Sequence, residues 1–232
     1  MAIAVLVSGA MQAQSNAVNS SMTNIAAGQK RSFLVLHLGP TMPVGDFSST
    51  NTANSNAGFA NTGYAINLSY GYQAEENAGL TASVFYNGYN THHFSMSFLD
   101  GIPYNNAVTL DMDHWKIYGI TAGPMLTFAI ANHVLADCKL MGGIANARSP
   151  KIMYQGSTIA PADNNWAAAI QAGVNLRIQA GHHLFVFANT DYLYLKPRFS
   201  YTYINSSDMQ VTKTTAQKMS VVNISAGIGI NF

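Results

Sequence analysis

Two short stretches of this chain hold residue types that could do chemistry. His93-Phe94-Ser95 places an imidazole two residues from a hydroxyl, the base and nucleophile of covalent catalysis when a third group orients the base. No such third group can be assigned from the sequence. Asp111, Asp113 and His114, with Asp100 upstream, form a D-x-D-H run of the hard oxygen donors a cation takes, but the spacing matches neither an EF-hand nor a zinc site. His182-His183 falls at a short turn, where solvation accounts for it. There is no glycine-rich phosphate loop and no Cys/His cluster, and Cys138 is alone, so no internal disulfide forms. The reading taken is no catalytic residue, no metal and no cofactor. His93 and Ser95 stand as the catalytic candidates, and Asp111, Asp113 and His114 as the metal candidates.

Four further charges, Asp137, Lys139, Arg177 and Asp191, lie deep inside apolar stretches, and their meaning depends on the elements that carry them. The C-terminal segment MSVVNISAGIGINF shows the pattern most clearly. Val222, Ile224, Ala226, Ile228, Ile230 and Phe232 alternate with Val221, Asn223, Ser225, Gly227, Gly229 and Asn231. A period of two puts these sets on opposite faces of a strand. The segment also exceeds the usual 5–6 residues, reaching the roughly 9–11 that a tilted strand needs to cross a bilayer. The same alternation predicts strands at about 32–39, 62–73, 78–90, 114–130, 133–146, 165–178, 183–199 and 219–232.

The four charges all fall on the less apolar face. Turning that face to lipid would cost up to about 2–4 kcal/mol for each basic residue near mid-bilayer, so it is predicted to point inward. There the two acids and two bases are expected to neutralise one another as a lumen ion network.

Composition agrees with a wall that meets something other than water. Hydrophobic residues make up 48% and charged ones only 9%, against roughly 25% charged in a soluble domain. No run of about 18 apolar residues exists, which excludes a spanning helix, and a closed barrel is the other way to satisfy every backbone group in lipid. A net charge of +1 without a basic cluster gives no support to nucleic-acid binding. Connections after the second, fourth and sixth strands are short (74–77, 131–132, 179–182). The others (40–61, 91–113, 147–164, 200–218) are long and polar, and mobility is expected there. Short turns at one rim and long loops at the other are the asymmetry of outer-membrane barrels. Two aromatic girdles are expected, Tyr64, Tyr86, Tyr118, Trp166, Tyr192 and Tyr194 at the loop rim and Tyr72, Phe128 and Phe232 at the turn rim. Pro124 predicts a bulge at Gly123–Pro124.

The start, MAIAVLVSGAMQAQ, has the apolar stretch and small-residue junction of a secretory signal without its basic beginning. Residues 1–13 are read as a signal remnant, 14–31 as a disordered periplasmic lead-in and 32–232 as the barrel. The fold class predicted is all-β, an eight-stranded antiparallel up-and-down transmembrane barrel.

On its GP-x-x-P-x-GDF continuation (Gly39 to Phe47), its GYAINLSYGY strand and its terminal aromatic strand, the chain resembles the small eight-stranded outer-membrane barrels of OmpA/OmpX type, in the form common in Bacteroidetes. The resemblance implies that Ile228, Ile230 and Phe232 carry the signal read by the barrel-assembly machinery. No C-terminal peptidoglycan-binding domain is read in the sequence, so a tether to the cell wall of the OmpA kind is not expected. His93 and Ser95 also resemble the H-x-S pair of the lipid A deacylase PagL, although Thr91 stands where that family shows Phe. The functional expectation is a monomeric, non-enzymatic barrel with both termini periplasmic. It would meet outer-membrane lipid and lipopolysaccharide, to whose phosphates the D-x-D-H run could bridge a cation, support envelope integrity and present loops for adhesion. A PagL-like lipid-modifying enzyme and a narrow solute pore are the alternatives. Deleting 48–58 is predicted to leave folding intact while abolishing any ligand adhesion.

Overall fold

Alternation of this kind, repeated eight times along the chain, closes into a ring. The computed structural model describes residues 31–232 except Thr52, Ser55, 92–93, 100–101, 155–156 and 205–209, and side chains except those of 92–110, 154–157, 159, 201–211 and 213 as well. The signal remnant and all of the lead-in but Arg31 lie outside the described residues.

Fourteen strands are described. In chain order they are β1 (Ser32–Val44), β2 (Ala60–Gln73), β3 (Ala78–Thr91), β4 (Phe94–Leu99), β5 (Ile102–Met112), β6 (Trp115–Ala131) and β7 (Val134–Arg148). Then follow β8 (Ile152–Tyr154), β9 (Ser157–Ala160), β10 (Asn164–Gln179), β11 (Leu184–Leu195), β12 (Arg198–Ile204), β13 (Gln210–Ala216) and β14 (Met219–Asn231). Eight of them form a closed barrel in the order β1-β14-β11-β10-β7-β6-β3-β2. β1 closes it by pairing antiparallel with both β14 and β2, and Ser32 and Phe232 exchange backbone hydrogen bonds at the seam. At 12–17 residues, each barrel strand exceeds the bilayer requirement and projects beyond it.

Three sequence expectations need correction. Three of the four long polar connections carry further strands: β4 pairs with β5, β8 with β9 and β12 with β13. Runs such as RFSYTYI and QVTKTTA are rich in Thr, Tyr and Val, which suit a pleated surface. In QVTKTTA threonine falls on both parities, so no apolar face marks it, while the alternation of Phe199, Tyr201 and Tyr203 with Arg198, Ser200 and Thr202 is short and lies inside a polar connection. The seventh barrel strand stops at Leu195 rather than 199, because Pro197 has no N–H to offer a ladder. Pro124 makes no bulge. The β6–β7 ladder omits Gly123 and Pro124 yet resumes in the same register, Ala122↔Gly142 before and Met125↔Lys139 after. One absent donor removes a bond without requiring an extra residue. The irregularity in β6 comes later, between Ala129 and Ala131.

Candidate functional sites in the lumen and at the loop rim

Inward-facing side chains fill the lumen in three levels. At the turn end Phe33, Val35, Met125, Phe185 and Phe187 form an apolar floor, with Phe33 and Phe185 edge to face at 5.9 Å. The rings need neighbours without side chains: a Cβ added to Gly229 would lie 2.1 Å from Phe185 Cζ. Resting on this floor is a buried ion pair. Arg177 Nε and Nη2 donate to Asp137 Oδ2 and Oδ1 at 2.8 and 2.7 Å. Thr127 Oγ1 donates to Asp137 Oδ1 at 2.8 Å, and the guanidinium carbon stands 4.4 Å from the centre of the Phe33 ring. Both charged side chains are at most 2% exposed.

The middle level is polar. His37 Nδ1 and Nε2 lie 2.7 and 3.1 Å from the hydroxyls of Ser225 and Ser69, and Ser69 bonds Ser83 at 2.9 Å. Asn189 Nδ2 donates to Ser225 and to Asp191, whose other oxygen accepts from Asn223 Nδ2 at 2.8 Å. Hence the four predicted lumen charges are all buried, but only Asp137 and Arg177 meet directly. Asp191 is held by two amides. Lys139 makes no ion pair among the described residues; in the ladder it stands beside Gly173 on one side while Asp191 stands beside Gly173 on the other. Gly173 lacks the side chain that would separate them, and the Asp191 Cβ occupies that space. In place of the single network expected of the quartet stand a bidentate pair and two further charges on either side of a glycine. His37 is the residue that sequence reasoning missed, although its parity on the first strand places it inward.

An apolar plug closes the loop end. Gly45, at φ +64°, adopts the left-handed turn that glycine tolerates and starts the short 3-10 turn Gly45–Phe47. This drops Phe47, fully buried, between Tyr89 and Trp115 at 5.3 and 5.4 Å between ring centres. Phe199, at the start of the last loop hairpin, packs on Trp115 at 5.5 Å, and Ile117, Leu193, Leu195 and Val221 complete the layer. Trp115 Nε1 donates to the Gly58 carbonyl at 2.8 Å, and Gln217 Nε2 to the Asn56 carbonyl at 2.8 Å. Deleting 48–58, expected from the sequence to leave folding intact, would thus remove two backbone acceptors of the plug.

Outside, the wall is apolar: Leu38, Leu80, Leu140, Ile170 and Ile228 are each more than half exposed. Such a continuous apolar band is far larger than a soluble monomer tolerates. The predicted loop-rim aromatics include two ring pairs, Tyr64 with Tyr86 and Tyr118 with Trp166, at 5.9 and 6.0 Å. At the turn rim Phe232 meets Tyr70 at 6.3 Å. Ile228, Ile230 and Phe232 point outward, exposed.

Neither chemical motif assembles a site among the described residues. His93 lies outside the described residues; Ser95 lies on β4, paired with Thr109. Asp111 and His114 are exposed, and Asp113 Oδ1 accepts the His114 N–H at 2.8 Å. No third ligand joins them among the described residues.

No protein-family model matches the chain, and no curated protein matches it in sequence. Solved structures do share its shape. A major outer membrane protein from Thermus thermophilus aligns with 87% of this chain and 99% of its own, at 9% identity and a TM-score of 0.53. Ail, the attachment invasion locus protein of Yersinia pestis, covers 87% of this chain and 99% of its own at 17% identity and a TM-score of 0.47. OprG from Pseudomonas aeruginosa covers 88% and 98% at 12% identity and a TM-score of 0.48. The Thermus likeness is one of fold, and the fold is that of an outer-membrane barrel.

Proposed function

We propose that this chain is a bacterial outer-membrane barrel without catalytic activity, which strengthens the envelope and presents its loop hairpins for interaction. Its termini face the periplasm, its wall meets lipid and lipopolysaccharide, and its last strand is handed to the assembly machinery; it works as a monomer. The observation that carries this reading is a lumen with an aromatic layer packed at each end inside an apolar wall. A filled interior suits eight strands and disfavours the pore alternative, while for the PagL-like alternative the sequence assigns no third group to orient a base. Membrane fractionation followed by a gel run with and without boiling tests the barrel reading, with a heat-dependent shift expected. Planar-bilayer recordings test the filled interior. A soluble, unshifted protein defeats the first reading, and steady open conductance the second.

A further inference from the structure

The outer wall carries very little charge. Along the outward positions of the eight barrel strands only Lys116 and Arg148 are ionised, and the β6–β7 ladder sets them directly opposite one another. Like charges at opposed positions destabilise a sheet, so the pair needs a reason. Neither residue forms an ion pair among the described residues, and the acids nearby are engaged. Asp163 accepts the backbone N–H of Asn164 and of Ser200, each at 2.8 Å, and Asp113 that of His114.

What surrounds the two cations is equally specific. Registers across four strands place the row Gly88, Lys116, Arg148, Asn164 directly above the row Tyr86, Tyr118, Asn146, Trp166. The cations thus sit on the loop-rim side of the aromatic girdle, where a headgroup meets acyl chains. Asn146, flanked by Tyr118 and Trp166, is only 4% exposed, and its Oδ1 has no hydrogen-bond partner among the described residues. Beside Lys116, on the side away from Arg148, a cleft of about 220 Å³ opens, lined by Tyr64, Tyr86, Gly88, Asn90 and His114. It opens because Gly88 has no side chain between Tyr64 and Lys116.

We infer that Lys116 and Arg148 form the phosphate-binding site for a phosphorylated glycolipid of the surrounding leaflet, with Asn146 as the acceptor for one of its donors. The inference rests on the outer-membrane reading above. An arginine fork engages two phosphate oxygens while a lysine supplies a point charge, and one dianion between them turns a repulsion into an attraction. Asn146 Oδ1 requires an O–H or N–H, which a sugar hydroxyl or an amide-linked acyl chain supplies. A phosphatidylcholine headgroup has no such donor. The tyrosine-lined cleft gives the sugar an apolar face and polar rims to lie against.

The test is native mass spectrometry of the folded barrel, titrated in micelles with diphosphoryl lipid A, dephosphorylated lipid A or phosphatidylcholine. The parent chain is expected to retain the phosphorylated lipid preferentially. Lys116→Gln/Arg148→Gln should reduce that retention about tenfold or more, the loss expected when charge-assisted hydrogen bonds disappear. Arg198→Gln, which removes one exposed charge from the loop hairpin outside this row, should leave it unchanged. Equal retention of the dephosphorylated lipid, an unaffected double variant, an equal loss in Arg198→Gln, or displacement of the lipid by inorganic phosphate would overturn the assignment. A gel run with and without boiling on the same preparation separates the two levels. A chain with no heat-dependent shift defeats the membrane reading together with this one, whereas a shifted barrel without lipid preference defeats this one alone.

Discussion

Replacing Asp137 by Ala leaves the Arg177 guanidinium buried on the aromatic floor with its counter-charge gone. Two charge-assisted bonds at 2.7 and 2.8 Å disappear at once. What remains is Thr127 Oγ1 at 3.4 Å from Nη2 and the Phe33 ring beneath the guanidinium. Breaking a buried pair by deleting one partner costs about 3–5 kcal/mol, and the ring returns only about 0.5–2 kcal/mol that was already present in the parent. The expected loss is therefore about 3 kcal/mol or more, roughly a hundredfold in the folding equilibrium at about 1.4 kcal/mol per decade.

Urea unfolding of the barrel in phosphatidylcholine vesicles, followed by tryptophan emission and checked by gel shift, measures it. The decisive control is Asp137→Leu/Arg177→Met, which removes both charges and restores apolar volume. Buried pairs exchanged for apolar residues are often neutral or stabilising, so this double variant should recover most of the loss. A single variant within about 1 kcal/mol of the parent, less than removal of a buried charge partner costs, would refute the view of an uncompensated buried charge. So would a double variant less stable than the single.

Three further outcomes follow from the same interior and wall. Phe47→Ala removes the ring between Tyr89 and Trp115 and should cost about 3 kcal/mol, the low end for an aromatic truncation. In a Trp166→Phe background the Trp115 emission should move to the red, and an unmoved emission would show that the plug does not depend on Phe47. Gly229→Ala drives a methyl into Phe185 and should cost about 1–3 kcal/mol by overpacking; Phe185→Leu in the same chain should recover part of it, and strictly additive losses would contradict the contact. Cys138, exposed on the outer wall opposite Leu126 and Val174, should resist a charged thiol reagent in vesicles and react after denaturation. Prompt labelling in intact vesicles would place that face in water.

The barrel was legible because its side chains separate two environments on a period of two, so the parity that sends Leu36 and Leu38 outward also sends His37 inward. That logic located all four lumen charges. It did not pair them, because pairing depends on which strands lie side by side: Asp137 finds Arg177 on the adjacent β10, whereas Lys139 and Asp191 are separated by the Gly173 strand. The plug was hidden for a different reason. Phe47 sits in a run of Gly, Asp and Ser that carries no period, and its insertion depends on the Gly45 turn and on contacts with Trp115 far along the chain. The Lys116–Arg148 pair was equally invisible, since two cations 32 residues apart in sequence become neighbours only through the β6–β7 register.

The order of the lumen levels bears on why charges are kept in so narrow a barrel. An interior of apolar side chains throughout would fill the space as well, yet it would let Phe, Leu and Val residues of either face exchange places with little penalty. A register slip of one residue turns every inward side chain toward lipid. With Asp137, Lys139, Arg177 and Asp191 on the inward parity, such a slip in β7, β10 or β11 exposes ionised groups to hydrocarbon, at up to about 2–4 kcal/mol for each basic one. The outward leucines and isoleucines alone supply a weaker constraint, because an apolar residue moved from lipid to an apolar lumen loses little. The buried charges thus specify register more than they stabilise the closed wall. On that argument the Asp137→Leu/Arg177→Met barrel, although close to its parent in stability once folded, should yield a larger fraction of misfolded, unshifted chain on refolding. A refolding yield equal to the parent's would mean that the Asp137–Arg177 pair does not specify register.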